Sequence, residues 1–141
     1  DLYFVCYMIE RVARRLHRRN RYVAEHLGKE GLFHELSIAG TSHCLNPEQV
    51  EEDWIETYRL RKGNFDITKI SPQFTDKIPT PLQMGKVYAR LVQSIDTDNN
   101  LPMAMQKVYD SPICDTIDNY NTSAYYEPSY VQTRAFINGG F

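Results

Sequence analysis

The chain has 141 residues, the length of one ordinary domain, and its 42% hydrophobic and 24% charged residues are close to the averages of soluble globular proteins. This composition argues against disordered, collagen-like and membrane proteins. The first apolar run, residues 2–9, is about half as long as a bilayer span, and its basic residues follow it instead of preceding it as in a secretory signal. We therefore expect one domain and no membrane association.

The opening residues predict an amphipathic helix. From residue 2 onward, five apolar residues recur along one helical stripe: Leu2, Val5, Ile9, Val12 and Leu16. Five arginines gather on the opposite side and are called the arginine face below: Arg11, Arg14, Arg15, Arg18 and Arg19. The first half of this helix is apolar nearly all round, which predicts that other elements cover it on both sides.

Three interpretations of the arginine face remain open. It can be solvated or compensated within the fold, it can bind an acidic protein partner, or it can bind phosphates of nucleic acid, alone or as a homodimer that doubles the face. A formal net charge of −2 and an acidic helix predicted over residues 47–58 argue against nucleic acid. The first interpretation is favoured, because that acidic helix can lie across the arginines.

Capping residues and helical spacing predict the remaining elements. Short helices are expected over 22–27, ended by Gly28, and around 32–38, and Asn46 followed by Pro47 opens the acidic helix. Further helices are expected over 80–95, 101–109, near 111–118 and over 128–137, the first of them opened by a capping box of Thr80 and Gln83. Residues 61–79 contain breakers and predict an irregular connection.

These elements predict an all-α fold, a compact single-domain bundle of about seven short helices spanning residues 1–141. It would consist of an N-terminal helical subregion over residues 1–60, the connection 61–79 and a C-terminal helical subregion over residues 80–141. Three scattered cysteines, Cys6, Cys44 and Cys114, favour reduced, buried thiols and a cytoplasmic protein over a disulfide framework.

No motif carries enough chemistry to assign catalytic, cofactor-binding or metal-binding residues. The single glycine of "MGKVY" at 84–88 lacks the glycine-rich turn of a phosphate loop, and "DTDNN" at 96–100 has Leu101 where a calcium loop needs glycine. The four histidines lack zinc-site spacing. A nucleophilic cysteine paired in space with a histidine stays an alternative, but a non-enzymatic protein is favoured.

The C-terminal quarter is the other unusual region, because it combines tyrosines with asparagines. Four tyrosines are candidate partner-binding residues: Tyr120, Tyr125, Tyr126 and Tyr130. Tyrosine and asparagine together are typical of recognition surfaces. The alternative is that these tyrosines attach a terminal segment to the core with their hydroxyls at its rim.

Four segments, residues 3–23, 28–55, 78–92 and 113–141, resemble a family of small uncharacterised proteins from gut-dwelling anaerobic bacteria. The resemblance covers almost the whole chain. Members of that family are encoded in compact gene clusters, similar to toxin and antitoxin loci, beside another small helical protein and an ADP-ribosyltransferase-like protein. The resemblance carries no catalytic residues. It implies a cytoplasmic, antitoxin-like or accessory protein that binds a partner from its own gene cluster.

Overall fold

A computed structural model describes residues 1–74 and 76–141 of the chain. The described residues form seven α-helices and no strand, which confirms the all-α prediction. The helices are α1 (Leu2–Arg15), α2 (Asn20–Ser42), α3 (Pro47–Thr57), α4 (Pro81–Ile95), α5 (Leu101–Asp110), α6 (Ile113–Ile117) and α7 (Ser129–Asn138). Two short 3₁₀ turns lie at Ile67–Lys69 and Ala124–Tyr126.

Helix α1 is the centre of the bundle. It packs against α4, α2 and α3, while α5 packs against α2 and α7 packs against α4. The five apolar residues of its predicted stripe are all buried, and so are Cys6 and Met8 on its flanks. On the opposite side Phe4 and Tyr7 are only partly buried and Tyr3 is 39% exposed, so the prediction that the first half of α1 is covered on both sides is confirmed in part.

Two helix starts confirm the capping predictions. The Asn46 side chain accepts a hydrogen bond from the Glu48 backbone N–H at 3.0 Å. Thr80 and Gln83 form the reciprocal capping box, with 2.8 Å between the Thr80 nitrogen and Gln83 Oε1 and 3.2 Å between the Gln83 nitrogen and Thr80 Oγ1. These bonds satisfy backbone donors that the first helical turn leaves unpaired.

Gly28 separates the two halves of α2, as the sequence suggests. Its φ of 65° and ψ of −178° interrupt the helix, so the residues on either side run in different directions. A residue with a Cβ is strained at this φ, whereas glycine is not. The two helices predicted over 22–27 and around 32–38 are thus one element with a kink.

Gly85 has a packing role that its sequence context does not reveal. A Cβ at this position would lie 2.8 Å from the Cα of Tyr7, so α1 and α4 cross with their backbones close together. This crossing explains the glycine of "MGKVY" without a phosphate, because close helix approach needs a residue with no side chain.

The connection 61–79 is irregular apart from the turn at Ile67–Lys69, in agreement with its prediction, although Thr75 lies outside the described residues. Its start is tied to the end of α1 by backbone hydrogen bonds from Gly63 to Leu16 and from Phe65 to His17. Within the described chain, no helix is both long enough and apolar enough to cross a membrane.

Candidate partner-binding surfaces

The acidic helix α3 lies across the arginine face. Arg11 makes an ion pair with Glu51, with 2.6 Å between its guanidinium nitrogen and Glu51 Oε2, and Glu48 lies 3.4 Å from the same guanidinium. Arg15 lies 3.6 Å from Glu51 and 3.5 Å from Glu52. Glu51 is only 4% exposed, and a buried carboxylate needs a cationic partner. Arg11 and Arg15 supply that partner from within the same chain.

Two further arginines bind backbone carbonyls. Arg18 donates from Nε to the Arg61 carbonyl at 2.9 Å, and its guanidinium stacks over the Tyr22 ring at 4.1 Å from the centroid. Arg14 donates to the Pro79 carbonyl. Both ends of the connection 61–79 are therefore held by arginines of the first helix and the turn after it.

Arg19 completes this set on the side of α6. It lies 3.2 Å from Asp115 and stacks over the Phe65 ring at 4.2 Å from the centroid. The five arginines of the predicted face thus have partners inside the same chain. A surface whose guanidinium groups already have partners offers fewer donors to phosphates or to another protein.

The four candidate tyrosines do not form one surface. Tyr120 is 1% exposed and belongs to the core, so it offers no area to a partner. Tyr125 is partly buried and packs edge-on against Tyr120 at 6.2 Å between ring centroids. Tyr126 and Tyr130 are 56% and 65% exposed. The structure therefore divides the segment into an inner pair that attaches it and an outer pair at the surface.

Helix α7 exposes an apolar stripe that sequence reasoning identified only in part. We define the α7 stripe as Tyr130, Arg134 and Ile137. Ile137 and Phe141 are 71% and 52% exposed, while the opposite side of α7 buries Gln132 and Ala135. The spacing of four and three residues places Tyr130, Arg134 and Ile137 along one side of the helix, and Phe141 follows the left-handed Gly139 that ends the helix. This spacing is visible in the sequence and points to Ile137, whereas tyrosine content alone does not.

A groove of about 340 Å³ lies next to the outer tyrosines, between α4 and the start of α7. Val87 and Arg90 line it from α4, and Tyr125, Tyr126 and Gln132 line it from the C-terminal segment. Arg90 and Arg134 have no ion pair among residues 1–74 and 76–141. Glu127 lines the same groove as Arg90, so the surface around α7 combines apolar side chains with charges of both signs.

A second cleft, of about 400 Å³, lies between the second half of α2 and α3. Glu35 and Trp54 line its interior, and Ile38, Leu45 and Asp53 lie around its opening. We call it the α2–α3 cleft. It was not predicted from sequence, because its walls come from two helices whose relative placement no local pattern specifies.

A buried polar network joins α1, α2 and α4 to the end of α6. The Asn20 amide nitrogen donates to Glu10 Oε2 and to Asp118 Oδ2, each at 3.2 Å, and the Tyr88 hydroxyl donates to Asp118 Oδ1 at 2.6 Å. Burial raises the pKa of Asp118 to about 7, against the lowering from the Tyr88 hydrogen bond. Burial and the nearby Asp118 charge raise the pKa of Glu10 well above its usual range. None of these side chains lines a described cleft, so we assign the network to stability.

The three cysteines confirm only part of their prediction. Cys6 and Cys114 are buried, and burial raises the pKa of the Cys6 thiol to about 12, so it stays protonated. Cys44 is exposed, which corrects the expectation of three buried thiols. Its sulfur lies 3.9 Å from His43 Nε2, but neither residue lines a described cleft. A thiol beside a histidine in open solvent lacks the enclosed site that nucleophilic catalysis uses.

In the part of the chain that the structure describes, no three histidine, cysteine or acidic residues converge as metal ligands would. Asp96 instead caps the connection between α4 and α5, where its Oδ1 accepts the Asn100 backbone N–H at 2.8 Å. Comparison of the chain with protein-family models, with curated protein sequences and with solved structures finds no match.

Proposed function

We propose that this chain is a non-enzymatic protein-interaction module, antitoxin-like or accessory to a toxin-like enzyme, that contacts its partner through the α7 stripe. The observation that carries the proposal is the exposure of Tyr130 and Ile137 along one side of α7, with Phe141 also exposed after the end of the helix. Clustered exposed aromatic and aliphatic side chains are typical of interaction sites and costly to leave in water.

The chemistry of the stripe specifies the kind of partner. Arg134 lies in the middle of the apolar residues and stacks against Tyr130 at 5.5 Å from the ring centroid. A complementary surface would therefore be apolar with a carboxylate opposite Arg134. A homodimer through this stripe is less favourable, because an antiparallel pair of α7 helices would place the two Arg134 side chains near each other.

The arginine face gives less support to nucleic-acid binding than its sequence suggests. Arg11 and Arg15 pair with glutamates of α3, and Arg18 binds backbone carbonyls. A duplex would have to displace these contacts before it gained phosphate contacts. We therefore keep nucleic acid as an outcome of the experiment and not as the proposal.

The experiment is a quantitative pull-down from a lysate of cells that naturally produce the protein, with and without nuclease. The wild type is compared with Tyr130→Ser/Ile137→Ser and with Leu82→Ser, a control for loss of an exposed apolar residue, since Leu82 is 48% exposed on α4. We expect a protein retained by the wild type and by Leu82→Ser in both halves, and lost by the double variant. Equal retention by all three proteins, or recovery that disappears with nuclease, would contradict the proposal.

A further inference from the structure

The acidic residues of α3 fall into two groups with different surroundings. Glu48, Glu51 and Glu52 face α1 and pair with Arg11 and Arg15. Asp53 and Glu56 instead line the α2–α3 cleft. One set of α3 carboxylates therefore pairs with arginines of the same chain, and the other set lies along the α2–α3 cleft.

Three carboxylates line the α2–α3 cleft, together with one histidine, His34. Among the described residues, Glu35, Asp53 and Glu56 take part in no ion pair, whereas the other acidic side of α3 is compensated. Glu35 is 7% exposed, so its charge lies at the bottom of the cleft and not at a solvated edge. A buried carboxylate without a cation is stabilised when a cationic group reaches it.

Two hydrogen bonds fix the orientation of the Glu35 carboxylate and leave it able to accept further hydrogen bonds. Trp54 Nε1 donates to Glu35 Oε1 at 3.0 Å, and the Tyr58 hydroxyl donates to Oε2. A carboxylate has about four acceptor positions, so each oxygen retains one. These two neutral donors hold the carboxylate in place without neutralising it.

The opening of the cleft suits a side chain with an apolar stem. Ile38 and Leu45 are 36% and 41% exposed beside the acidic residues, and Val50 forms part of the wall. Long basic side chains bury their methylene groups on apolar surface while the charged end reaches a polar partner. The planar guanidinium group of arginine can bond two carboxylate oxygens at once.

We infer that the α2–α3 cleft binds an arginine side chain of a protein partner, as a second contact independent of the α7 stripe. The guanidinium would enter between Asp53 and Glu56 toward Glu35, and its stem would pack on Ile38 and Leu45. The occupant is a basic, aliphatic protein segment, since an anionic or nucleic-acid ligand would be repelled by the same carboxylates.

Trp54 makes this inference directly measurable, because it is the single tryptophan of the chain and its indole N–H bonds Glu35. The probe is a capped pentapeptide with one arginine between isoleucine and leucine, titrated into the full chain at constant ionic strength. The readouts are Trp54 fluorescence and the indole N–H signal in NMR. A peptide with citrulline in place of arginine keeps the shape and removes the charge.

We expect a saturable shift of the Trp54 signal with the arginine peptide and at least about a fivefold weaker response with citrulline. Asp53→Asn and Glu56→Gln should each weaken binding by about two- to fivefold. Glu52→Gln, a matched change of a carboxylate that pairs with Arg15 and does not line the cleft, should leave it unchanged, as should Tyr130→Ser/Ile137→Ser.

Three results would overturn the inference that the α2–α3 cleft binds an arginine side chain. No saturable response at millimolar arginine peptide, or equal responses to both peptides, would overturn the inference. An equal loss in Glu52→Gln and Asp53→Asn would also overturn it, because it would show a general charge effect. Since the α7 variant is not expected to change this signal, failure here leaves the proposed function to its own experiment.

Discussion

The arginine face and the α7 stripe differ in how far the fold satisfies their side chains. The five arginines pair with α3, α6 or backbone carbonyls, although a strongly basic segment suggests an open surface. The α7 stripe keeps Tyr130 and Ile137 more than half exposed, although apolar residues are expected inside. Residue type alone therefore does not show which surface is available; what matters is whether another element of the same chain covers it.

The largest expected effect concerns the buried network of Glu10, Asn20 and Asp118, which joins α1 and the start of α2 to the end of α6. Because burial raises the pKa of folded Asp118 to about 7, above its unfolded value, its contribution to stability is present at low pH and lost as the pH rises through about 7. We expect a loss on the order of a few kcal/mol between pH 5 and pH 8, measured by urea unfolding.

Asp118→Asn should reduce this dependence, since the substituted side chain does not titrate, and the part due to Glu10, whose pKa is also raised by burial, should remain. Asp110→Asn, a change of an exposed residue at the end of α5, should keep the wild-type slope. Identical slopes for the wild type and Asp118→Asn would show that this carboxyl group is not the source.

The next largest effect is expected for Glu51→Gln, which removes the carboxylate that pairs with two residues of the arginine face. It leaves Arg11 without its 2.6 Å partner and Arg15 with only its exposed contact to Glu52. We expect about 2 kcal/mol lower free energy of unfolding, less than for a fully buried pair because the Arg11 side chain is 25% exposed. Glu52→Gln, whose carboxylate is 69% exposed, should cost under about 0.5 kcal/mol. Equal losses would mean that α3 does not compensate the arginines in this way.

The smallest effect is expected at the edge of the arginine face. Arg19→Gln removes an exposed ion pair with Asp115 and a stacking contact on Phe65. The expected cost is about 0.5–1 kcal/mol, reduced by added salt. Lys86→Gln, an exposed position on α4, should show no such cost. A loss for Arg19→Gln that salt does not change would point to packing instead of charge.

Local patterns were sufficient to predict the helices, because spacing and caps are properties of short segments. The caps at Asn46 and Thr80 and the kink at Gly28 were all visible in the residues themselves. The possibility that the acidic helix covers the arginines followed from charge alone. Which arginine meets which glutamate depended on how α1 and α3 cross, and no local pattern gives that geometry.

The surfaces were harder to predict for the same reason. Tyr120 and Tyr130 are the same residue type ten positions apart, yet one is 1% and the other 65% exposed. The α2–α3 cleft and the close approach at Gly85 arise from pairs of helices distant in sequence. Such features follow from packing, which residue spacing constrains only within one helix.

The most direct test of the comparison is the free energy of unfolding in urea for Arg11→Ala and Tyr130→Ser/Ile137→Ser, measured side by side. If the arginine face is part of the fold and the α7 stripe is not, Arg11→Ala loses about 2 kcal/mol and the α7 variant stays within about 0.5 kcal/mol of the wild type. A neutral Arg11→Ala together with a strongly destabilised α7 variant would contradict the account, because it would assign the opposite roles to the two regions.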